Sequence, residues 1–65
     1  MYPILYITRK KRKETAKSVA GFLNITRQTY ALKESGERQF TLKEAKIIAE
    51  HYDTSIDYLF KESIE

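Results

Sequence analysis

Between Leu23 and Gly36 the chain reads L-N-I-T-R-Q-T-Y-A-L-K-E-S-G, and this stretch constrains the fold more than any other. An apolar stripe stops at Leu23. Asn24 follows, the residue best able after glycine to adopt the left-handed turn that ends a helix. Ile25 alone separates it from Thr26, an N-cap residue type. A helix end and a helix start this close imply two short helices joined by a tight turn, with Ile25 as an apolar plug between them. The second helix runs from Thr26 to about Lys33 or Glu34 and is closed by Ser35-Gly36.

The same punctuation recurs along the chain. Thr15 caps a helix whose Val19, Ala20, Phe22 and Leu23 form an apolar stripe at helical spacing. After an exposed loop at Glu37-Arg38-Gln39, Thr41-Leu42-Lys43-Glu44 is a capping box, with Phe40 and Ala45 in the two hydrophobic-staple positions. That helix extends to about Tyr52 and carries Ala45, Ile48, Ala49 and Tyr52 on one face. Asp53-Thr54 breaks it, and Ser55 caps a last short helix with Ile56, Leu59 and Phe60 inward. The beginning is ambiguous. Pro3 suits a first helical turn, with a helix to about Arg12, yet Tyr2 to Thr8 is also rich in strand formers, so an extended arm or dimer-pairing strand is the alternative. The pattern predicts one all-α domain over 1–65, made of five short helices with short connections.

Composition narrows the function classes. A 65-residue chain buries only about 60% of its unfolded surface. With no cysteine it has neither disulfides nor a thiolate metal site, and His51 is its one histidine. No cofactor, metal or small-molecule ligand is implied. His51 lies between Glu50 and Tyr52 with no serine or cysteine nucleophile beside it, so nothing suggests an enzyme, and the acids Glu34 and Glu37 read as surface charge. No apolar run approaches the roughly 20 residues of a membrane helix. The basic run follows the apolar patch Ile4–Ile7 instead of preceding it, unlike a signal peptide. The expectation is a soluble, cytoplasmic protein. Its charge is polarised: residues 1–38 hold nine Lys/Arg against three Glu, and residues 39–65 hold three Lys against six acids. A basic half points to a polyanionic partner.

From Thr15 to Phe60 the residues Val19-Ala20, Leu23, Asn24 through Tyr30, Glu34-Ser35-Gly36, Leu42, Ala45, Ile48-Ala49 and Ser55 through Phe60 stand in a characteristic order. In this the chain resembles the Cro/lambda-repressor-like helix-turn-helix regulators, the XRE family. The resemblance implies a five-helix DNA-binding domain with its helix-turn-helix at about 15–34. It implies that Ala20 is small because the two motif helices cross closely, and that Glu34 pairs with Arg9 as a clamp between the first and third helices. The chain also departs from the family. Ala16 replaces a DNA-contacting glutamine, Lys13 a glycine, Glu14 an apolar residue, Asn24 a glycine, and Thr8 an apolar residue of helix 1. The last departure raises the prospect of a one-residue shift that places Ile7 in the core.

If the family's docking applies, the helix at 26–34 enters the major groove of double-stranded DNA. Arg27 then pairs with guanine or reaches a phosphate, and Gln28 pairs with adenine. Ala31 and Leu32 pack on thymine methyls, or Leu32 meets a protein partner instead. Thr26, Thr29, Lys17, Lys33, Ser35 and Arg38 are expected at the phosphate backbone, where contacts position without specifying. The run Arg9 to Lys13 adds charge beside them. Two half-sites imply a homodimer at least on DNA. Tyr58, Phe60 and Ile64 are the candidates for its interface, joined by Tyr2 and Tyr6 if the N-terminus is extended. The expected function is a small phage or mobile-element repressor. The alternative is a protein-interaction module of the same fold, an antitoxin or antirepressor, consistent with Ala16, Ala31 and Leu32.

Overall fold

Four of the helices begin at a hydroxyl side chain that accepts a backbone N–H three residues on. The pairs are Thr15 with Ser18, Thr26 with Thr29, Thr41 with Glu44, and Ser55 with Tyr58. Each such cap stabilises its helix by about 1 kcal/mol. The Thr41 cap is a full capping box, since the Glu44 carboxylate accepts the Thr41 N–H in return. In the computed structural model, which describes residues 1–61, the caps delimit α2 (Ala16–Leu23), α3 (Arg27–Ser35), α4 (Leu42–His51) and α5 (Ile56–Leu59). They follow α1 (Pro3–Lys11), which has no side-chain cap but carries its proline in the first turn. The first segment is therefore helix and not strand, and the described residues contain no strand.

The helix ends share a second device. After α1, α2, α3 and α4 one residue turns left-handed: Lys13 (φ 57), Asn24 (φ 63), Gly36 (φ 93) and Asp53 (φ 55). The next residue's N–H then reaches back five positions, as in Glu14 to Arg9, Ile25 to Ala20, Glu37 to Leu32 and Thr54 to Ala49. These are Schellman closures, which satisfy carbonyls the helix leaves open. Only one of the four left-handed residues is glycine. Lys13 adopts a conformation that costs a side-chain-bearing residue about 1 kcal/mol. This accounts for glycine being usual there in the family the chain resembles. At Gly36 a Cβ would also come within 2.7 Å of the Met1 backbone nitrogen.

The core is built from Leu5, Val19, Ala20, Leu23, Tyr30, Ile48, Tyr52 and Leu59. Ala20 is 2% exposed, as a close crossing of α2 and α3 requires. Beside this core lies an aromatic cluster. The Phe40 ring sits 5.8 Å from Tyr2, 6.0 Å from Tyr30 and 5.0 Å from Phe60. Phe60 is thus half-buried within its own chain, which weakens it as an interface residue, and Tyr2 belongs to the same cluster.

Two expectations about which residues face inward need correction. The inward side of α1 is Leu5 and Arg9, with Thr8 half-buried, while Ile7 is 49% exposed. The helix is therefore not shifted to bring Ile7 into the core. Leu5 fills the centre, and an ion pair at Arg9 takes the next inward position. Phe22 leaves the stripe of α2 and is exposed. Its ring packs 4.5 Å from that of His51.

Candidate nucleic-acid interface

On α3, Tyr30, Lys33 and Glu34 follow one another at i, i+3 and i+4, so they share the face turned to the rest of the fold. All three are buried. The Arg9 guanidinium holds the Glu34 carboxylate with two parallel hydrogen bonds, Nε to Oε2 at 3.0 Å and Nη2 to Oε1 at 3.1 Å. Its third nitrogen donates to the Glu14 carbonyl at 2.9 Å. The Tyr30 hydroxyl donates to Glu34 Oε2 at 2.7 Å. The hydrogen bond to Glu34 raises the Arg9 pKa above its ordinary value despite burial, and burial followed by the same carboxylate raises that of Tyr30. The Arg9–Glu34 clamp is therefore formed, and Tyr30 is its third member. The described residues leave no buried side-chain nitrogen or oxygen without a partner.

Lys33 is the departure. Predicted to meet phosphate, it lies on the inward face, and its Nζ donates to Glu44 Oε1 at 2.6 Å with the side chain 11% exposed. Burial raises the Glu44 pKa, but the bonds from Lys33 and from the Thr41 backbone outweigh it, and the net shift is downward. Lys33 ties α3 to the start of α4 instead of facing outward. Its i+3 spacing from Tyr30 was the sequence signal for this.

The opposite face of α3 is open. Arg27, Gln28, Ala31 and Leu32 are all exposed and line one shallow groove with Ser35 and Glu37. Neither Arg27 nor Gln28 makes a side-chain hydrogen bond within the described residues. The Thr26 hydroxyl caps the helix and donates to Thr29 Oγ1 at 2.8 Å. The Ser35 hydroxyl lies 2.9 Å from the Leu32 carbonyl and 3.2 Å from Glu37 Oε2.

Two grooves bordered by charged side chains flank this face. Lys10, Lys13, Lys17 and Arg27 border one, where the α1–α2 turn meets the start of α3. Thr29, Lys33, Glu37, Arg38 and Gln39 border the other. The basic run of α1 is thus divided. Arg9 is held in the clamp. Arg12 donates to the Tyr52 carbonyl at 3.3 Å and lies over the Tyr52 ring. Lys10 lies over the Tyr6 ring, and with Lys13 and Lys17 it faces the outer groove.

A second polar network had no counterpart in the sequence reading. Glu14 accepts from the Tyr52 hydroxyl at 2.6 Å and pairs with His51 Nε2 at 2.8 Å. The Tyr52 bond is the main cause of a lowered Glu14 pKa, while burial raises that of Tyr52. This explains how a carboxylate replaces an apolar residue at position 14. It ties the α1–α2 turn to the end of α4, and it gives His51 a structural setting. Of the predicted interface residues, Tyr58 is 56% exposed and Tyr6 38%, and Ile64 lies outside the described residues.

No described helix is long and apolar enough to cross a membrane. In comparison with known proteins, a family model described as helix-turn-helix matches residues 5–59. Curated proteins and solved structures yield no match.

Proposed function

The chain belongs to the helix-turn-helix family and is a DNA-binding regulator, and from that premise we propose that it is a sequence-specific transcriptional repressor that places α3 in the major groove of an operator. The observation that carries this reading is the division of labour on α3. Its inner polar groups are bonded within the fold, while Arg27 and Gln28 remain open between two grooves bordered by charged side chains. Arg27 and Gln28 read bases, and Ala31 and Leu32 pack on thymine methyls. Lys17, Thr26, Thr29, Ser35 and Arg38 position the helix on phosphates, with Lys10 and Lys13 added on the basic side. Lys33 is omitted because Glu44 already holds it. The protein acts in the cytoplasm as a homodimer on DNA, with Tyr58 the best-exposed candidate for the interface. A phage or mobile-element origin rests on the family resemblance.

Selection of bound sites from a random duplex library tests the whole reading. The expected product is a pair of inverted half-sites about one helical turn apart. Recovery of no preferred sequence would defeat it. The exposed Leu32 and the small Ala16 and Ala31 favour a second reading, an antitoxin or antirepressor that binds a protein through this face. That reading predicts no salt-dependent shift of any duplex.

A further inference from the structure

Glu37, two residues past the end of α3, is the one acid lining the groove along its open face and has no place in the contacts assigned above. It lines the same groove as Arg27, Gln28, Ala31 and Leu32. Its backbone is fixed, since the Glu37 N–H closes α3 by donating to the Leu32 carbonyl at 2.9 Å, and carboxylate Oε2 lies 3.2 Å from the Ser35 hydroxyl. Gly36 makes this possible, since its left-handed turn (φ 93) redirects the chain there. A carboxylate so placed is unfavourable beside phosphates unless it meets a hydrogen-bond donor. In the major groove a cytosine N4 amino group is such a donor.

We propose that Glu37 is a specificity-determining residue that accepts a hydrogen bond from a cytosine N4 amino group. The inference rests on α3 occupying the major groove. Gln28 and Ser35 are seven positions apart in α3, about 10 Å of helix at 1.5 Å per residue, so the cytosine is a different base from the one that Gln28 reads. The face therefore reads polar groups at both ends and methyls in its middle.

The experiment is site selection and affinity measurement with the wild-type chain, Glu37→Gln and Glu37→Ala. Glu37 is exposed, and circular dichroism checks that each variant folds. The wild type is expected to require cytosine at one position, with about a tenfold loss for other bases there. Glu37→Ala removes that preference and leaves the other positions unchanged. Glu37→Gln moves it toward adenine, which presents both a donor and an acceptor. If Glu37→Ala tightens binding to every duplex equally, Glu37 is only a repulsive surface charge and the proposal is overturned. If the wild type selects a sequence that Glu37 variants share at every position, the proposal fails while the repressor reading stands. If the wild type binds no duplex, both fall.

Discussion

One helix, α3, presents two polar surfaces with opposite fates. On the inner side Glu34 receives three hydrogen bonds, two from Arg9 and one from Tyr30, and Lys33 is bound to Glu44. On the outer side Arg27 and Gln28 are exposed and unbonded among the described residues, around the apolar Ala31 and Leu32. Residue type does not separate the two groups, since each contains a cation. Geometry does. A charge that a neighbouring helix can satisfy becomes part of the scaffold. A polar group that no neighbour reaches stays available to a ligand. A rigid inner face also fixes the outer one, because a reading helix needs a defined position relative to the groove.

The largest expected effect breaks the inner face. Removing one partner of a buried ion pair costs about 3–5 kcal/mol, because the other charge stays buried and unpaired. In a domain this small, Arg9→Ala or Glu34→Ala leaves the chain largely unfolded, as urea titration would show. The double variant is expected to lose less than the sum of the two. Additive losses would mean that the clamp carries no coupling.

Next comes the outer face. Gln28→Ala is expected to weaken the selected site by about 1–3 kcal/mol and other duplexes hardly at all, with an unchanged urea midpoint. A uniform loss on all sequences would remove Gln28 from base reading.

Lys33 and Arg38 test the boundary between the faces. Arg38→Ala should flatten the dependence of log affinity on log salt by about one unit at unchanged stability. Lys33→Ala should leave that slope alone and lower stability by about 1 kcal/mol, through the lost bond to Glu44. The opposite pattern would put Lys33 on DNA after all.

The smallest effect concerns the Glu14 network. The carboxyl titrates below its ordinary 4.5 in the folded state, mainly because Tyr52 donates to it. A depressed folded value contributes stability above pH 4.5 that is lost as pH falls through the lowered value. Glu14→Gln should therefore lose a little stability at pH 7 and show a shallower decline as pH falls below 4.5. An unchanged acid limb would show that the network adds nothing to stability.

Much of the fold was legible because its signals are local. Thr15, Thr26, Thr41 and Ser55 cap the helices predicted for them, and Asn24 and Gly36 close α2 and α3 in the left-handed conformation. A hydroxyl three residues before an N–H, or a residue tolerant of positive φ, acts within one turn and needs no distant partner. The inward face of α1 was less legible, because Ile4, Leu5 and Ile7 are all apolar and only packing selects Leu5. Phe22 fits the helical spacing yet lies against His51 from another helix. For the interface, the sequence identified Arg27, Gln28, Ala31 and Leu32 as one face, which the fold gathers along a single groove. It misplaced Lys33, and it gave no notice that Glu37 borders the same groove.

The sequence by itself determined where α2 to α5 start and stop and which helix carries the open face, since caps, turns and helical periodicity are short-range properties. Beyond the Arg9–Glu34 pair that the resemblance implied, tertiary structure decided which charges are engaged. Lys33 reaches Glu44 across 11 positions, and Glu14 reaches Tyr52 across 38. Such pairings depend on how the helices pack, and a side chain's neighbours in sequence do not specify them. The division between bonded and available charge on α3 is therefore a property of the assembled fold.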